Sequence, residues 1–503
     1  MLPSVGTRAG VLTLACSALL FTISARADKF DAARFDMARA LIYEQISEQQ
    51  LASIAVAVVK DGRIVWQQGF GWADKERRVP ASEHTMYSIA SLSKTFTSTA
   101  LMTLVQAGKV DLDRPVNDYL GELQLTVRIG DERQVTVRRV ADHTAGLPGS
   151  DLSYYGDERQ HMLPQELSLR RYAQVMRPPG ERFEYSNVGY GVLDYLVAQV
   201  SGRSFAEALR QSVAMPLGMT RTSVDIGPGL QDYAAVRYDL LGEPIPFYQN
   251  TEPGATAVYS SAHDLARLAL FFLKSRLPDQ QAILSDANID AMTAAPTWIR
   301  PGNGYAIGWQ VQSKGGYRVH GHGGSHSGAN AFFNLIPEQR VGVVLLSNTN
   351  KGPLDAIGTA IFKALLPGWR DVQTDLSVRE KPPTEALQPD ASLVGTWKGE
   401  VKTHEGARAL RMEVLPTGDI HLQLDDQLST LLNQAAFRNG RLTGRSSLQI
   451  DTSDTRRRAH DTDITLQWRD GVLNGYVHAN AKDSRRGWWI YSLPHWVELR
   501  REQ

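Results

Sequence analysis

The chain has 503 residues, 42% apolar and 21% charged, with one cysteine and 54 basic against 54 acidic side chains. That length accommodates a large core and two domains, and the composition excludes disorder, collagen and a multispan membrane protein. Balanced charge provides no field to gather nucleic acid or an anionic membrane, and a lone Cys16 excludes an internal disulfide, a thiolate metal cluster and a Cys-x-x-Cys redox pair.

Residues 1–27 read as a secretory signal. Arg8 supplies the positive start, Val11 to Ile23 a mostly apolar run, and Ala25-Arg26-Ala27 the small residues a signal peptidase inspects. The run is too short to span a bilayer comfortably and no second one follows. The expectation is therefore a protein exported to the periplasm or secreted after cleavage near Ala27, with no permanent membrane anchor. A lipid anchor on Cys16 would need cleavage after Thr13-Leu14-Ala15, a poor fit to that signal. Without residues 1–27 the chain loses Arg8 and Arg26, becomes slightly acidic and must hold its fold by packing alone.

The next predicted elements are two strands, Ile54 to Val59 and Ile64 to Gln68, turned at Lys60-Asp61-Gly62. Phe96, Ala100, Leu101, Leu104 and Val105 recur at helical spacing, with Gly108 where a C-cap belongs. Ser91-Leu92-Ser93-Lys94 opens that helix. Residues three apart share a face, so the Ser91 hydroxyl and the Lys94 amine can meet there. A serine alcohol needs such a base to become a nucleophile, and the helix N-terminus offers N–H groups to an oxyanion. Alone, the pattern reads equally as a serine cap with a surface lysine.

Tyr185-Ser186-Asn187 follows Pro178-Pro179-Gly180 and precedes a helix around Val192 to Val200. An ammonium near Tyr185 would lower its phenol and let it serve as base and then acid; Asn187 could donate its amide to a substrate carbonyl. The loops Ser150 to Glu158 and Ile226 to Thr251 are expected to set substrate identity. Next comes a short strand, Tyr317 to His320, and the stretch His320-Gly321-His322-Gly323-Gly324-Ser325, where glycines allow a substrate backbone to approach a strand edge. His322 is expected to face the cleft. His320, His322 and His326 could also chelate a metal, but no Asp, Glu or Cys stands nearby in sequence to complete the shell. Strands Ala331 to Ile336 and Val341 to Ser347 and a helix Asp355 to Leu366 close this part, so the sheet is assembled from both ends of the segment beside a helical cluster.

Residues 371–390, with Lys381-Pro382-Pro383 and Pro389, read as a linker between a domain at 28–370 and one at 391–503. Short strands then alternate with turns at Thr417-Gly418, Asn439-Gly440 and Asp470-Gly471, predicting a small antiparallel barrel. The run Arg456-Arg457-Arg458 reads as a solvated loop.

Taken together, Ser-x-x-Lys, Tyr-x-Asn and His-x-Gly in this order resemble the signature of the serine β-lactamase and penicillin-binding-protein superfamily, in its class C-like branch. Tyr87 to Thr95, Gly108 to Asp113, His143-Thr144-Ala145-Gly146-Leu147-Pro148 and Tyr305-Ala306-Ile307-Gly308-Trp309 carry the same resemblance, which covers roughly residues 35 to 368. It implies an α+β fold, an antiparallel sheet flanked by helices with an all-helical region alongside. The C-terminal part resembles the all-β lipocalin-like barrels appended to some members. The resemblance also implies roles: Ser91 as acylated nucleophile, Lys94 and Tyr185 in proton transfer, Asn187 and the strand residues His322, Gly323, Gly324 and Ser325 binding substrate. Backbone N–H groups of Ser91 and Ser325 would form the oxyanion hole. No cofactor or metal is expected, and the partner is a small molecule or peptide, such as a peptidoglycan fragment or a β-lactam.

His322 stands where class C β-lactamases carry a lysine. The histidine form resembles D-alanyl-D-alanine carboxypeptidases, D-amino-acid peptidases and esterases, and an imidazole is a softer carboxylate anchor. Ala257-Val258-Tyr259 also departs from the usual Gly-Gly pair. The first expectation is a serine hydrolase acting on a peptide, amide or ester through an acyl-enzyme, with a β-lactamase as the alternative. An inactive protein that binds cell-wall fragments is the reading from another class, and the complete set of chemical residues argues against it.

Overall fold

Alternation along the strands builds the central sheet. In Ser53–Lys60, Ala55, Ala57 and Val59 turn to one face, and Ile54, Val56 and Val58 to the other. The computed structural model describes residues 32–371, 389 and 392–502. The segment read as a signal and nearly all of the stretch read as a linker lie outside them.

Nine antiparallel strands form the sheet. From one edge come Thr297–Arg300, Asn303–Tyr305, Gln310–Lys314, Tyr317–His326 and Ala329–Ile336. Val341–Ser347, Ser53–Lys60, Arg63–Asp74 and Val79–Pro80 complete it. The predicted hairpin is present: Asp61 and Gly62 both take positive φ, 49° and 83°, the conformation a two-residue hairpin turn requires. Val341–Ser347 pairs with both Ser53–Lys60 and Ala329–Ile336, so the two ends of the segment meet in mid-sheet.

Helix Leu354–Leu365 covers one face with Leu354, Ile357, Ile361, Phe362 and Leu365, an i, i+3, i+4 stripe. Each such buried side chain contributes roughly 2 kcal/mol. Helix Ala262–Phe272 covers the other face. Beside it lies the helical region, where Ser93–Gln106 packs against Asn187–Ser201. Every residue from Ser93 to Met102 is buried. The polar ones there find acceptors: the Thr95 hydroxyl donates to Gly308 O (2.9 Å) and that of Thr97 to Gly254 O (2.7 Å).

The C-terminal part is a nearly closed antiparallel barrel, running from Gly395–Thr403 to Trp488–Arg501. Trp397, Leu410, Met412, Leu422, Leu466, Val477 and Leu499 fill it. Asn439-Gly440 and Asp470-Gly471 make tight hairpin turns with positive φ at both positions.

The predicted short strand Tyr317 to His320 runs on to His326, because the backbone from His320 to His326 pairs with Ala329 to Leu335. Two expectations are corrected here. Ser150 to Glu158 is not a free loop. Asp151–Tyr155 is a buried strand that pairs with Tyr491 and Ser492 of the barrel on one side and with Tyr248–Asn250 on the other. The arginine run is an interface rather than a solvated loop. Arg457 lies over the Tyr154 ring at 4.1 Å and donates to Ser153 O, and Arg458 pairs with Glu158. No helix among the described residues is long and apolar enough to cross a membrane.

Candidate active site

Ser91 sits on the single 3-10 turn Ala90–Leu92 that leads into helix Ser93–Gln106. Ala90 before it holds φ at +46°, a left-handed conformation that costs a non-glycine residue about 1 kcal/mol or more. The strain is supported by Ile89, whose N–H donates to Val258 O at 3.0 Å. One helical turn on, Lys94 is fully buried. Its Nζ lies 3.5 Å from Ser91 Oγ and donates to Asn187 Oδ1 (2.7 Å) and Ala255 O (3.1 Å). Burial brings this amine down to about 7, against the opposing pull of Asp151 and Glu252.

Tyr185 lines the same groove as Ser91, and Lys94 Nζ lies 4.6 Å from the centre of its ring. The expected lowering of the phenol is reversed. Burial raises it, and the amine lies over the ring while losing much of its own charge. Asn187 opens helix Asn187–Ser201, whose N-cap Ser186 accepts from Gly189 N at 3.0 Å. Its carbonyl oxygen is committed to Lys94, so its amide nitrogen is the end left for a substrate.

His322 lines the groove beside Ser91, but it is 1% exposed and its ring nitrogens are already bonded within the protein. Its Nδ1 donates to the Gly323 carbonyl (2.6 Å), which leaves Nε2 to accept from the Tyr305 hydroxyl (2.9 Å). Burial and the charge of Lys94 hold the imidazole at about 3, so it is neutral at any ordinary pH. The three nearby histidines have separate surroundings. His326 bonds Asp151 (2.9 Å) and Tyr248 (2.7 Å), while His320 lies toward Phe272 and Ile289.

Pairing with Gln310–Lys314 stops at Gly321, so the edge from His322 to Ser325 is open on that side. Gly324 lies against the serine turn: a Cβ there would come within 2.0 Å of Ile89 O. Ser91, Tyr185, Gly323 and Ser325 face a groove of about 450 Å³, also lined by the carboxamides Gln310, Gln312, Asn330 and Asn334.

Sequence reasoning assigned no role to His143, Tyr190 or Tyr305. His143 accepts the Ser186 N–H on Nδ1 (3.1 Å), its carbonyl takes the Glu184 N–H (2.8 Å), and its ring packs 4.5 Å from that of Tyr185. It therefore holds the backbone on both sides of Tyr185. Tyr190 lies three residues beyond Asn187 on the same helix face, a spacing that could have found it. Tyr305 has no such signal, because its partner His322 comes from another strand.

A serine on the turn that opens a helix, a lysine one turn into it, a tyrosine and asparagine from the helical region, and an open strand edge make up a site of the β-lactamase and penicillin-binding-protein class. Residues 37–366 match the profile described as Beta-lactamase, and the chain belongs to that family. It is similar to Protein flp of Staphylococcus aureus (strain MRSA252), 26% identical over 319 residues, 62% of each chain. It is also similar to the Unguisins hydrolase ungD' of Aspergillus campestris (strain IBT 28561), 29% identical over 356 residues, 67% of this chain and 65% of that one. The chain thus spans a little under two thirds of the length of these curated relatives. The octameric penicillin-binding protein homologue from Pyrococcus abyssi shares the fold with a TM-score of 0.57 and 23% identity, over 91% of this chain and 99% of that one.

Proposed function

We propose that the protein is an exported serine hydrolase that cleaves uncharged esters or amides through an acyl-enzyme on Ser91. The observation that carries this reading is the convergence of Ser91, Lys94 and Tyr185 beside the open edge at Gly323 to Ser325. Export rests on the signal read in residues 1–27, and the relative that hydrolyses unguisins is consistent with hydrolysis here.

Lys94, neutral above about pH 7, takes the Ser91 proton as Oγ attacks the substrate carbonyl. The backbone N–H groups of Ser91 and Ser325 hold the oxyanion, and Asn187 donates its amide to the acyl group. As the tetrahedral adduct collapses, Tyr185 gives its proton to the departing alcohol or amine and is reprotonated from Lys94. Water then attacks the acyl-serine and loses a proton to the same pair, which passes it to Ser91 Oγ as the acid leaves.

Charge selects the substrate class. No lysine or arginine is among the described residues lining the groove, and His322 is neutral. A carboxylate next to the scissile bond, as in a β-lactam or a D-alanyl-D-alanine peptide, has no cationic anchor. Neutral aryl esters are expected to be hydrolysed faster than a chromogenic cephalosporin or a D-alanyl-D-alanine peptide, and Ser91→Ala to lose about 10⁴-fold or more. Full activity in Ser91→Ala, or a preference for the anionic substrates, would overturn the reading.

The pH dependence has a definite sign. Below about pH 7 Lys94 is protonated and cannot accept from Ser91, so kcat/KM is expected to rise with pH through about 7 and then level. A pH–rate profile of ester hydrolysis checks this, and a rate that falls across that range contradicts it.

A further inference from the structure

We propose that the C-terminal barrel is a working part of the active site: its strand Val472–Asp483 clamps the segment carrying Tyr185 through Tyr476 and His478. The proposal rests on the reading of Tyr185 as a proton carrier for Ser91.

Tyr476 and His478 lie two apart and leave the barrel on the same outward face, while Val477 and Ala479 point into its core. The Tyr476 hydroxyl donates to Glu184, the residue before Tyr185. His478 Nε2 donates to Gly149 O at 2.7 Å. Gly149 lies along the same segment. Its neighbour Pro148 accepts from the Ser186 hydroxyl (2.8 Å), and a Cβ at Gly149 would touch Tyr185 O at 3.5 Å. A third tie, Arg469 to Glu181 at 2.6 Å, fixes the start of the segment.

The segment needs holding. Glu181 to Ser186 belong to no helix or strand, and apart from Glu181 N–H to Pro178 O and Glu184 N–H to His143 O their path is fixed through side chains. Glu184 is held firmly, because its carboxylate also pairs with Arg177. That guanidinium is 3% exposed, and its Nε and Nη2 have no other partner among the described residues. Leaving it unpaired would strand a buried charge. With His143 gripping the same backbone from within, Tyr476 and His478 act as its outer brace. They touch no substrate and are positioning residues.

The test uses the full-length protein, an aryl ester, and active sites titrated with a fluorophosphonate. Since a displacement of about 1 Å can cost about 10²-fold, Tyr476→Phe is expected to lower kcat about tenfold with KM changed by less than about twofold. Labelling of Ser91 should slow by the same factor. His478→Ala should behave alike, and the double variant should cost less than the product of the two, since both brace one segment. Arg458→Ala removes an interface pair remote from Tyr185 and should keep kcat even if it lowers the melting temperature. Unchanged kcat in Tyr476→Phe and His478→Ala, or an equal fall in Arg458→Ala, overturns the clamp. Ser91→Ala and Tyr185→Phe run alongside. Full activity in either overturns the catalytic reading and the clamp with it, whereas an inactive Ser91→Ala and an impaired Tyr185→Phe beside a fully active Tyr476→Phe overturn the clamp alone.

Discussion

Lys94→Met is expected to lose about 10³-fold in ester hydrolysis and to melt at a higher temperature than the parent. The activity loss follows from removing the one amine among the described residues within reach of Ser91 Oγ, at 3.5 Å. The stability gain follows from burial. This amine sits at about 7 in the folded protein and at 10.5 when free, so at pH 7.5 folding opposes its protonation at a cost of about 4 kcal/mol. Methionine has similar volume and no such cost. Against this, Asn187 Oδ1 and Ala255 O lose a donor, each at about 1 kcal/mol where they cannot re-pair. The first effect is larger. The sign with pH is also fixed: between about 7 and 10.5 the unfolded chain binds a proton that the folded one has released, so this group's contribution to stability improves as pH rises. The advantage of Lys94→Met should therefore be larger at pH 7.5 than at pH 9.5. Thermal melts at both pH values with initial-rate assays check it, and near-parental activity or a lower melting temperature would refute it.

Gly324→Ala is expected to cost about 10²-fold in kcat/KM and about 1–3 kcal/mol in stability. The added carbon would meet Ile89 O at 2.0 Å and Ile89 C at 3.0 Å. Both are backbone atoms, so no side chain can swing aside and either the strand or the serine turn must move. Ser91 lies two residues from Ile89 and Ser325 is next to Gly324, so any shift separates the two N–H groups proposed to hold the oxyanion. Gly323→Ala is the comparison for stability alone. Its nearest neighbour would be Ala331 O at 3.6 Å, an ordinary contact, and its melting temperature should stay put. Equal melting temperatures for the two variants would show that the serine turn yields freely.

Much of the hydrolase fold was legible because local rules govern it. The Asp61-Gly62 hairpin, the helix from Leu354 to Leu365 and the barrel turns follow from spacing and turn chemistry that act within a few residues. Ser91 and Lys94 were readable for the same reason, since one helical turn joins them. What escaped depends on contacts between distant segments. His322 lines the groove with its ring already bonded, because Tyr305, from another strand, offers it a hydroxyl. The Tyr185 phenol rises because burial outweighs a neighbour that burial itself discharges, and spacing carries no measure of burial. Asp151–Tyr155 reads as a loop until a partner from the far end of the chain arrives to pair with it.

That pairing has a consequence for how the protein comes into being. The strand Trp488–Arg501 joins Gly395–Thr403, Val472–Asp483 and Asp151–Tyr155 in one ladder. A ribosome makes the serine helix early, yet Asp151–Tyr155 waits for this neighbour until residues 488–501 have been made. Maturation is thus vectorial with a late final step, in which contacts of very long sequence separation form last and slowly. A chain cut before Trp488 would leave Asp151–Tyr155 with an unpaired edge and the brace incomplete. A chain of this design keeps that edge open until residues 488–501 have cleared the ribosome.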